Sequence, residues 1–419
     1  MRFAYTFLLY TITPFVLFRW IFRSIKLPEY RYRLNERFGC YSGQFQTGGI
    51  WFHAVSVGEA EAVFPLVKAI GRDYPELPVL ITTTTPTGSA RVKAVFGDDV
   101  QHVYLPYDLP GNVARFVRAF KPLIGVVVET EIWPNLFLHC RRQNIPLAII
   151  NARMSENSLR GYLRIRPFIE KVLGSVKVVA AQSDADADRF LAVGIDQQSV
   201  RVTGNIKFDL QIASDLEATA KVIRHKLFPK RPVWIAASTH EGEEDQILDA
   251  FARILNAIPA ALLILVPRHP ERFKRVAELC SSKGYGVTTR TQGTPVKNST
   301  EIFLLDTMGE LRLFYAASDV AFVGGSLVSV GGHNPLEPAA VFKPIVFGVH
   351  MHNFDAISKL LQNENAAIRV ENSAGLAETV TNLLLDQTMA KEMGEAGKQV
   401  IEKNRGAMER TLDLLRSFI

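Results

Sequence analysis

The glycine-rich stretch GGSLVSVGGHNPLEPAA, residues 324–340, combines residue types that suit a nucleotide phosphate. Its four glycines let the backbone approach a ligand closely. Asn334 is a favoured helix N-cap and Pro335 suits the first helical position, so a helix is predicted to begin here. A helix N-terminus offers N–H groups and partial positive charge to an anion, and Glu337 on its first turn would reach a ribose diol. The stretch matches neither a Walker loop nor GxGxxG, and a loop shaped only for tight packing is the alternative.

A carboxylate at the start of a helix is the second candidate for chemistry. In HAVSVGEAEA, residues 53–62, a short apolar strand ends at a tight turn and Glu59 opens the following helix. Such turns commonly carry functional side chains in α/β proteins, and a carboxylate there can act as a general base. The position equally suits an acid that only complements the helix dipole, and both interpretations stand. His53 is predicted to be a strand residue rather than a ligand.

Further polar residues follow other apolar strands. Glu129 and Glu131 come directly after IGVVV, in ETEIWPN. Because they are two residues apart, they need not face the same way, and one of them is open to a structural role. Lys207, in TGNIKFD, would neutralise a leaving phosphate, unless it is an ordinary exposed lysine. Arg268 and His269 follow LLILV and are additional candidates for contact with an anion.

Short apolar runs alternate with helical segments in two cycles, which predicts two doubly wound α/β sheets with parallel strands. The second cycle starts at RPVWIAASTHEGEEDQIL, where STHEGEE opens a helix directly after a strand. Such sheets bind ligands beyond the carboxyl ends of their strands, and two similar halves suggest a cleft between them. We predict an N-terminal Rossmann-like domain at 36–207, a linker at 208–230, a C-terminal Rossmann-like domain at 231–395 and a C-terminal helix at 396–419.

The N-terminus joins an apolar segment to a basic collar. Phe3–Phe18 is uncharged and, at ~1.5 Å per residue, would make a helix about 24 Å long, against ~30 Å for a bilayer core. Residues 1–37 hold seven basic and two acidic residues, which is five of the six net positive charges. We predict a membrane-anchor helix at 1–24, either a transmembrane signal anchor or an interfacial helix, with the body on the cytoplasmic side. A cleaved signal peptide or a buried helix is the alternative, which Arg19 and Arg23 disfavour.

The remaining composition excludes several classes of protein. Apolar residues make up 47% and charged residues 21%, as in a folded globular protein. The chain beyond residue 37 carries a net charge of only +1, which argues against a broad nucleic-acid-binding face. Cys40, Cys140 and Cys280 are far apart and lack CxxC spacing, so neither a disulfide framework nor a zinc site is expected.

Taken in order along the chain, these motifs resemble the 3-deoxy-D-manno-octulosonic acid (Kdo) transferases of lipopolysaccharide synthesis. That family consists of membrane-associated glycosyltransferases of the GT-B fold. The likeness covers essentially the whole chain, with no departure at the motif positions. It rests on the N-terminal segment and on HAVSVGEAEA, YLPYDLP, ETEIWPN, INARMS, TGNIKFD, ASTHEGEE, VPRHPERF, DTMGEL and GGSLVSVGGHNPLEP.

The resemblance implies an inverting transfer of Kdo from CMP-Kdo to a lipid A precursor, lipid IVA, at the cytoplasmic face of the inner membrane. It implies that Glu59 is the proton acceptor that deprotonates the acceptor hydroxyl. Glu129 and Lys207 match positions that would support the transition state. The CMP-binding residues that it implies are Pro267, Arg268, Met308, Gly309, Glu310, Asn334, Pro335, Leu336 and Glu337.

The same chemistry predicts an enzyme that needs no metal or other cofactor. Arg268, Lys207 and a helix dipole would stabilise the leaving CMP. No Asp-x-Asp motif is expected in a loop, because DADAD at 184–188 is predicted to lie on a helix. Two other functions remain open: a different nucleotide-sugar reaction on the same fold, such as an epimerase or a UDP-sugar transferase, and a membrane-bound binding protein without turnover.

Overall fold

The short apolar runs singled out in the sequence form the strands of two parallel sheets. The structure is a computed structural model that describes residues 1–26, 28–210, 212–293 and 296–419. The chain divides into two units: unit 1 is Met1–Asp209 with Arg405–Ile419, and unit 2 is Leu210–Asn404. The prediction of two α/β sheets with parallel strands is therefore confirmed.

Within the described residues, the sheet of unit 1 has seven strands in the order β3-β2-β1-β4-β5-β6-β7, all parallel. The strands are β1 (Ile50–His53), β2 (Val79–Thr83), β3 (Gln101–Tyr104), β4 (Ile124–Val128), β5 (Leu147–Ala152), β6 (Val176–Ala181) and β7 (Val200–Val202). The helices are α1 (Arg2–Lys26), α2 (Val57–Asp73), α3 (Pro86–Phe96), α4 (Pro110–Phe120), α5 (Pro134–Arg142), α6 (Glu156–Leu163), α7 (Arg166–Leu173) and α8 (Asp184–Ala192). Short 3-10 helices lie at Pro28–Arg31, Leu34–Phe38, Gln197–Ser199 and Ile206–Phe208.

The described part of unit 2 likewise forms a seven-stranded parallel sheet, in the order β10-β11-β9-β8-β12-β13-β14. The strands are β8 (Val233–Thr239), β9 (Leu262–Pro267), β10 (Val287–Thr289), β11 (Ile302–Leu304), β12 (Val320–Val323), β13 (Ile345–Phe347) and β14 (Ala367–Arg369). The helices are α9 (Leu216–Leu227), α10 (Glu243–Ala257), α11 (Phe273–Ser282), α12 (Leu311–Ala317), α13 (Leu336–Ala339), α14 (Asp355–Asn363), α15 (Ser373–Leu385) and α16 (Gln387–Asn404). Short 3-10 helices lie at Pro270–Arg272 and His352–Phe354.

The central strands of both sheets are buried along their whole length, as parallel sheets covered by helices require. Their apolar residues pack with the covering helices into clusters on the two faces of each sheet. In a parallel sheet every strand ends at the same edge, so the segments that follow β1, β4, β5 and β7 lie together in unit 1. The segments that follow β8, β9, β11 and β12 lie together in unit 2.

The segment expected to be a linker, 208–230, is mostly structured. Helix α9 lies inside it, and Arg224 on that helix donates a hydrogen bond to Asp319 at 2.7 Å. Residue 211, within the same segment, lies outside the described residues. The amphipathic pattern of LEATAKVIRHKL is that of a helix and was not recognised as one.

The single C-terminal helix expected at 396–419 is two helices. Helix α16 ends at Asn404, and α17 (Ala407–Arg416) starts after Gly406, whose φ of +85° favours glycine. Asp209 accepts hydrogen bonds from the backbone N–H groups of Gly406 and Met408, both at 2.6 Å. Ala407 on α17 is buried in the core of unit 1, so the end of the chain returns to the first unit.

The N-terminal segment is helical, but it does not meet the requirements of a membrane span. Among the described residues, no helix is both long and apolar enough to cross a bilayer. The expectation of a transmembrane signal anchor at 1–24 is therefore not supported. The uncharged stretch is interrupted at Arg19, and Pro14 lies inside α1. The start of α1 docks on unit 1, where the Tyr5 hydroxyl donates to Asp108 at 2.9 Å.

Candidate active site

Glu59 lies on the first turn of α2, where the sequence placed it. Its Oε2 accepts a hydrogen bond from the Val55 N–H at 2.7 Å, and its Oε1 accepts one from the Ser56 hydroxyl at 2.9 Å. Ser56 in turn caps the helix by accepting from the Glu59 N–H, which completes a capping box. Within unit 1, Glu59 thus makes the contacts expected of an acid that only caps its helix. They still leave lone pairs on both carboxylate oxygens, because an ionised carboxylate has about four acceptor sites.

Glu129 is the centre of an ion-pair network just beyond β4. Lys207 donates to its Oε1 at 3.1 Å and Arg153 donates to its Oε2 at 2.8 Å. The glutamate is only 7% exposed, so two cations compensate a nearly buried carboxylate. Its φ of +61° is uncommon for a residue other than glycine, and such strain tends to persist where surrounding contacts enforce it. Glu129 after β4 and Lys207 after β7 therefore meet at one edge of the sheet.

Lys207 reaches this network because a buried asparagine holds the loop that carries the lysine. Asn151, the penultimate residue of β5, has a φ of +48° and accepts a hydrogen bond from the Ile206 N–H at 3.1 Å. Asn205 caps the short 3-10 helix by accepting from the Lys207 N–H at 3.0 Å. The loop after β7 is thereby held close to the ends of β4 and β5.

Three carboxylates, Glu59, Glu129 and Glu131, form what we call the glutamate cluster. Burial raises the pKa of Glu59; the Val55 N–H partly offsets this, and the charge of Glu129 raises it further. Burial also raises the pKa of Glu131 to about 7, with added repulsion from Glu59 and then Glu129. Glu59 and Glu131 therefore have a higher proton affinity than free glutamate, which suits general-base chemistry near neutral pH.

In unit 2, the predicted nucleotide-binding residues follow neighbouring strands. Pro267 ends β9, and the Arg268 side chain beyond it is exposed. Met308 and Gly309 are exposed in the turn after β11. Glu310 accepts hydrogen bonds from Arg290 at 2.8 Å and from the Thr307 hydroxyl at 2.5 Å. Arg290 and the hydroxyl hold the pKa of Glu310 below its usual range, so this carboxylate stays ionised.

The residues from Asn334 to Glu337 follow the glycine loop, but the helix there is shorter than expected. Helix α13 covers only Leu336–Ala339, so it offers little helix dipole. Asn334 accepts from the Leu336 N–H at 3.1 Å, which is a local cap. Pro335 and Leu336 are buried, and the Glu337 carboxylate accepts from Arg312 at 3.3 Å.

The glycine loop does not offer its first amides to a ligand. Glu243, at the start of α10, is fully buried and accepts from the N–H groups of Gly325, Ser326 and Leu327 at 2.6, 2.9 and 2.9 Å. It also accepts from the His240 N–H at 3.2 Å. The expectation that this part of the loop cradles a phosphate through its backbone is therefore wrong, because a protein carboxylate already occupies that position.

Two smaller expectations are confirmed. His53 is fully buried on β1 with its Nδ1 2.9 Å from the Thr82 hydroxyl, and burial lowers its pKa to about 4. DADAD lies on α8, where Asp186 accepts from the Met154 N–H at 2.9 Å. Neither His53 nor DADAD belongs to the groups of candidate residues that follow the strands.

Several residues at these sites were missed from the sequence. Arg153 follows β5 in INARMS, so the rule that singled out Glu129 would also have found it. Arg290 and Arg312 pair with predicted acids from 20 and 25 residues away. Glu243 meets the glycine loop across more than 80 positions of sequence, a separation that no local pattern indicates.

The two α/β units, each with a seven-stranded parallel sheet among the described residues, define the fold class, and solved structures share it. The UDP complex of MnaA from Staphylococcus aureus matches 89% of this chain and 97% of its own, with 16% identity and a TM-score of 0.56. A putative UDP-N-acetylglucosamine 2-epimerase from Listeria monocytogenes matches 90% of this chain and 96% of its own, with 15% identity and a TM-score of 0.54. At such low identity these likenesses show the fold alone, which is GT-B.

Sequence relatives identify the family. The model of the family described as 3-deoxy-D-manno-octulosonic-acid transferase (kdotransferase) matches residues 32–210. A 3-deoxy-D-manno-octulosonic acid transferase of Haemophilus influenzae is 42% identical over 421 residues, covering 100% of this chain and 99% of the relative. One from Bordetella pertussis is 35% identical over 380 residues, covering 88% and 87%. The chain belongs to the Kdo transferase family and is a glycosyltransferase.

Proposed function

We propose that this Kdo transferase uses CMP-Kdo as donor and a lipid A precursor, lipid IVA, as acceptor in lipopolysaccharide core biosynthesis. The observation that carries the proposal is the full-length match to a Kdo transferase at 42% identity. Transfer would break the bond between the anomeric carbon and the phosphate oxygen, with the electron pair leaving on CMP. The acceptor oxygen would form the new bond, and its proton would pass to the enzyme with inversion at the anomeric carbon.

Glu59 is proposed as the base that takes this proton. Its raised pKa makes it a better proton acceptor than free glutamate, and Glu129 contributes to that rise. The capping hydrogen bonds fix the carboxylate in one orientation, which is the positioning that a catalytic base needs. Capping and catalysis are therefore compatible roles for this residue.

Glu129 and Lys207 are proposed to stabilise the transition state. The anomeric carbon of Kdo would gain oxocarbenium character while negative charge grows on the departing phosphate. The short contact between Glu129 and Lys207 keeps an anion and a cation fixed in a nearly dry site, where electrostatic stabilisation is strong. Arg153 completes the charge balance of Glu129.

The nucleotide is proposed to bind at the strand ends of unit 2, on Pro267, Arg268, Met308–Glu310 and Asn334–Glu337. Arg268 offers an exposed guanidinium to the phosphate. Glu337 is proposed to accept from the ribose hydroxyls. Since the protein supplies cations at both strand-end sites, we propose that the reaction needs no metal.

The direct test measures the mass of the reaction product. Purified protein in detergent is incubated with CMP-Kdo and lipid IVA in the presence of EDTA, and the expected product is lipid IVA heavier by one or more Kdo units. UDP-sugars in place of CMP-Kdo should give none. Loss of product in EDTA with rescue by a divalent cation would contradict metal independence. Absence of transfer under every condition would favour an epimerase, a UDP-sugar transferase or a binding protein.

We also propose that the protein lies on the cytoplasmic face of the inner membrane, with α1 in the interface. Phe3, Phe7 and Phe15 on α1 are 93%, 75% and 72% exposed, an apolar face that a bilayer surface would cover. Beside this face, a cavity of about 1020 Å³ is lined by Phe3, Leu138 and Phe168 and by the cations Arg2, Arg141, Arg142 and Lys171. Such cations suit an anionic leaflet.

Flotation with vesicles that contain anionic phospholipid tests this placement. The double variant Phe7→Ser, Phe15→Ser should lose vesicle binding. The control Val222→Ser, Leu385→Ser, which removes two equally exposed apolar residues of unit 2, should keep it. Equal flotation of both variants would contradict the interfacial role of α1.

A further inference from the structure

Two histidines from different loops of unit 2 form a hydrogen-bonded pair. The Nε2 atoms of His240, after β8, and His333, at the end of the glycine loop, are 2.8 Å apart. Their rings are nearly parallel, with an interplanar angle of 4° and centroids 5.1 Å apart. The pair lies over Gly325, where a Cβ atom would be 3.1 Å from the His333 ring and 3.4 Å from the His240 ring. We call these two residues the imidazole pair.

The geometry limits the pair to one shared hydrogen between the two Nε2 atoms. One imidazole donates through Nε2–H and the other accepts, so in the neutral pair the accepting ring carries its proton on Nδ1. That Nδ1–H remains to donate to something else. Taking up one further proton would give a second Nδ1–H donor. The pair therefore has at least one N–H for a ligand and can add one positive charge but not two.

The charged groups around the pair are of both signs. Burial lowers the pKa of His240, and His269, Arg272 and Arg268 lower it further, while Glu244 opposes them. Glu244 itself is paired with Arg272 at 2.6 Å, and the Glu243 carboxylate accepts from the His240 N–H. Arg268 is exposed, so its guanidinium can meet an anion from solvent.

The pKa of His333 is lowered by similar causes. Burial lowers its pKa to about 3, with further lowering by His240, Arg268 and His269. The rings of His240 and His269 lie edge to face with centroids 5.5 Å apart. Three imidazoles and two guanidinium groups thus meet at the ends of β8, β9 and β12.

A phosphate bound at this edge needs donors other than the glycine-loop amides. The N–H groups of Gly325, Ser326 and Leu327 are taken by the buried carboxylate of Glu243. Replacing that carboxylate would leave a fully buried charge without its hydrogen bonds, which is costly. Side-chain donors are the alternative, and the imidazole pair lies directly beside the occupied amides.

We infer that His240 and His333 together bind the phosphate of the donor nucleotide, next to Arg268. This inference rests on the proposed CMP-Kdo function and assigns the phosphate contact within it. The ring that accepts the shared Nε2 hydrogen bond carries its proton on Nδ1, and this Nδ1–H donates to a phosphate oxygen. Arg268 adds a guanidinium at the end of the adjacent strand.

The experiment compares the binding of CMP and cytidine, which differ only in the phosphate. Affinities are measured by calorimetry for the wild type, His240→Phe, His240→Gln, His333→Phe and the control His225→Phe, an exposed histidine on α9. Loss of a hydrogen bond to a charged group corresponds to about a 10-fold to 100-fold weaker CMP affinity. We expect this loss in His240→Phe and His333→Phe, while cytidine affinity stays within about twofold of the wild type and His225→Phe changes neither. His240→Gln, which keeps the hydrogen bond to His333, should lose less.

The cytidine measurement separates phosphate binding from a structural role. If both ligands weaken equally, the pair only supports the loop and the inference is overturned. Unchanged CMP affinity in both phenylalanine variants would also overturn it. If the wild type itself does not bind CMP, the proposed donor is wrong and the inference falls with it, an outcome that is distinct because it appears before any substitution.

Discussion

The strand ends of unit 1 and those of unit 2 gather titratable groups of different kinds. In unit 1, the glutamate cluster places three carboxylates near one another, and only Glu129 among them is paired with cations. In unit 2, the imidazole pair lies among guanidinium groups. Burial acts in both places, but it raises the pKa of Glu59 and Glu131 and lowers that of His240 and His333.

This difference indicates which chemical group each unit is suited to act on or bind. Crowded carboxylates hold protons more tightly, so unit 1 is suited to accept a proton from a neutral hydroxyl. The exposed Arg268 guanidinium and a neutral imidazole N–H can both donate to an anion, so unit 2 is suited to hold a phosphate. One fold therefore supports two opposite kinds of chemistry through the residues placed at its strand ends.

The largest effect should come from the proton acceptor of unit 1. Glu59→Gln keeps a side-chain oxygen to accept from the Val55 N–H, so the helix cap remains, while the amide cannot act as a base. We expect turnover to fall by about 10²- to 10⁴-fold with CMP affinity unchanged, measured by product mass and calorimetry.

The matched control for this substitution is Ser56→Ala, which removes the capping hydroxyl and leaves the carboxylate. It should lower the free energy of unfolding by about 0.5–2 kcal/mol. Turnover should fall far less than in Glu59→Gln, because the Val55 N–H still positions the carboxylate. Near-normal activity of Glu59→Gln would show that this glutamate is a cap and not the base.

A smaller effect is expected at Glu337 in unit 2. If this carboxylate accepts from the ribose, the wild type should bind CMP about tenfold more tightly than 2′-deoxy-CMP, in line with one hydrogen bond to a charged group. Glu337→Ala should lose about the same factor for CMP and no longer distinguish the two nucleotides. Glu278→Ala, on the outer surface of the same unit, serves as control. Discrimination that survives in Glu337→Ala would place the ribose contact elsewhere.

The sequence predicted the strand ends well because parallel sheets leave little freedom there. Glu129 and Lys207 were singled out separately from the sequence, and they are in contact although 78 residues separate them. The alternation of apolar runs and helices predicts parallel strands. The carboxyl ends of parallel strands lie at one edge of the sheet, so the residues that follow them come close together.

What the sequence did not provide is the partner of each charged group. Glu243 was noted only within STHEGEE at the start of a helix, yet it accepts hydrogen bonds from the glycine-loop amides that were expected to face a phosphate. Long-range side-chain contacts depend on packing that local patterns do not encode.

The smallest effect is expected at Glu131, in the glutamate cluster. The pKa of Glu131 is raised to about 7, so between the ordinary glutamate pKa and about pH 7 the folded state keeps a proton that the unfolded state loses. Stability therefore falls as pH rises through this window, and Glu131→Gln should remove the loss. We expect this variant to match the wild type near pH 4 and to exceed it by about 1–3 kcal/mol at pH 8 in denaturant unfolding. Glu76→Gln, an exposed control, should show no pH-dependent gain. A pH-independent effect of Glu131→Gln would mean that burial does not raise the pKa of Glu131, and unit 1 would lose its contrast with unit 2.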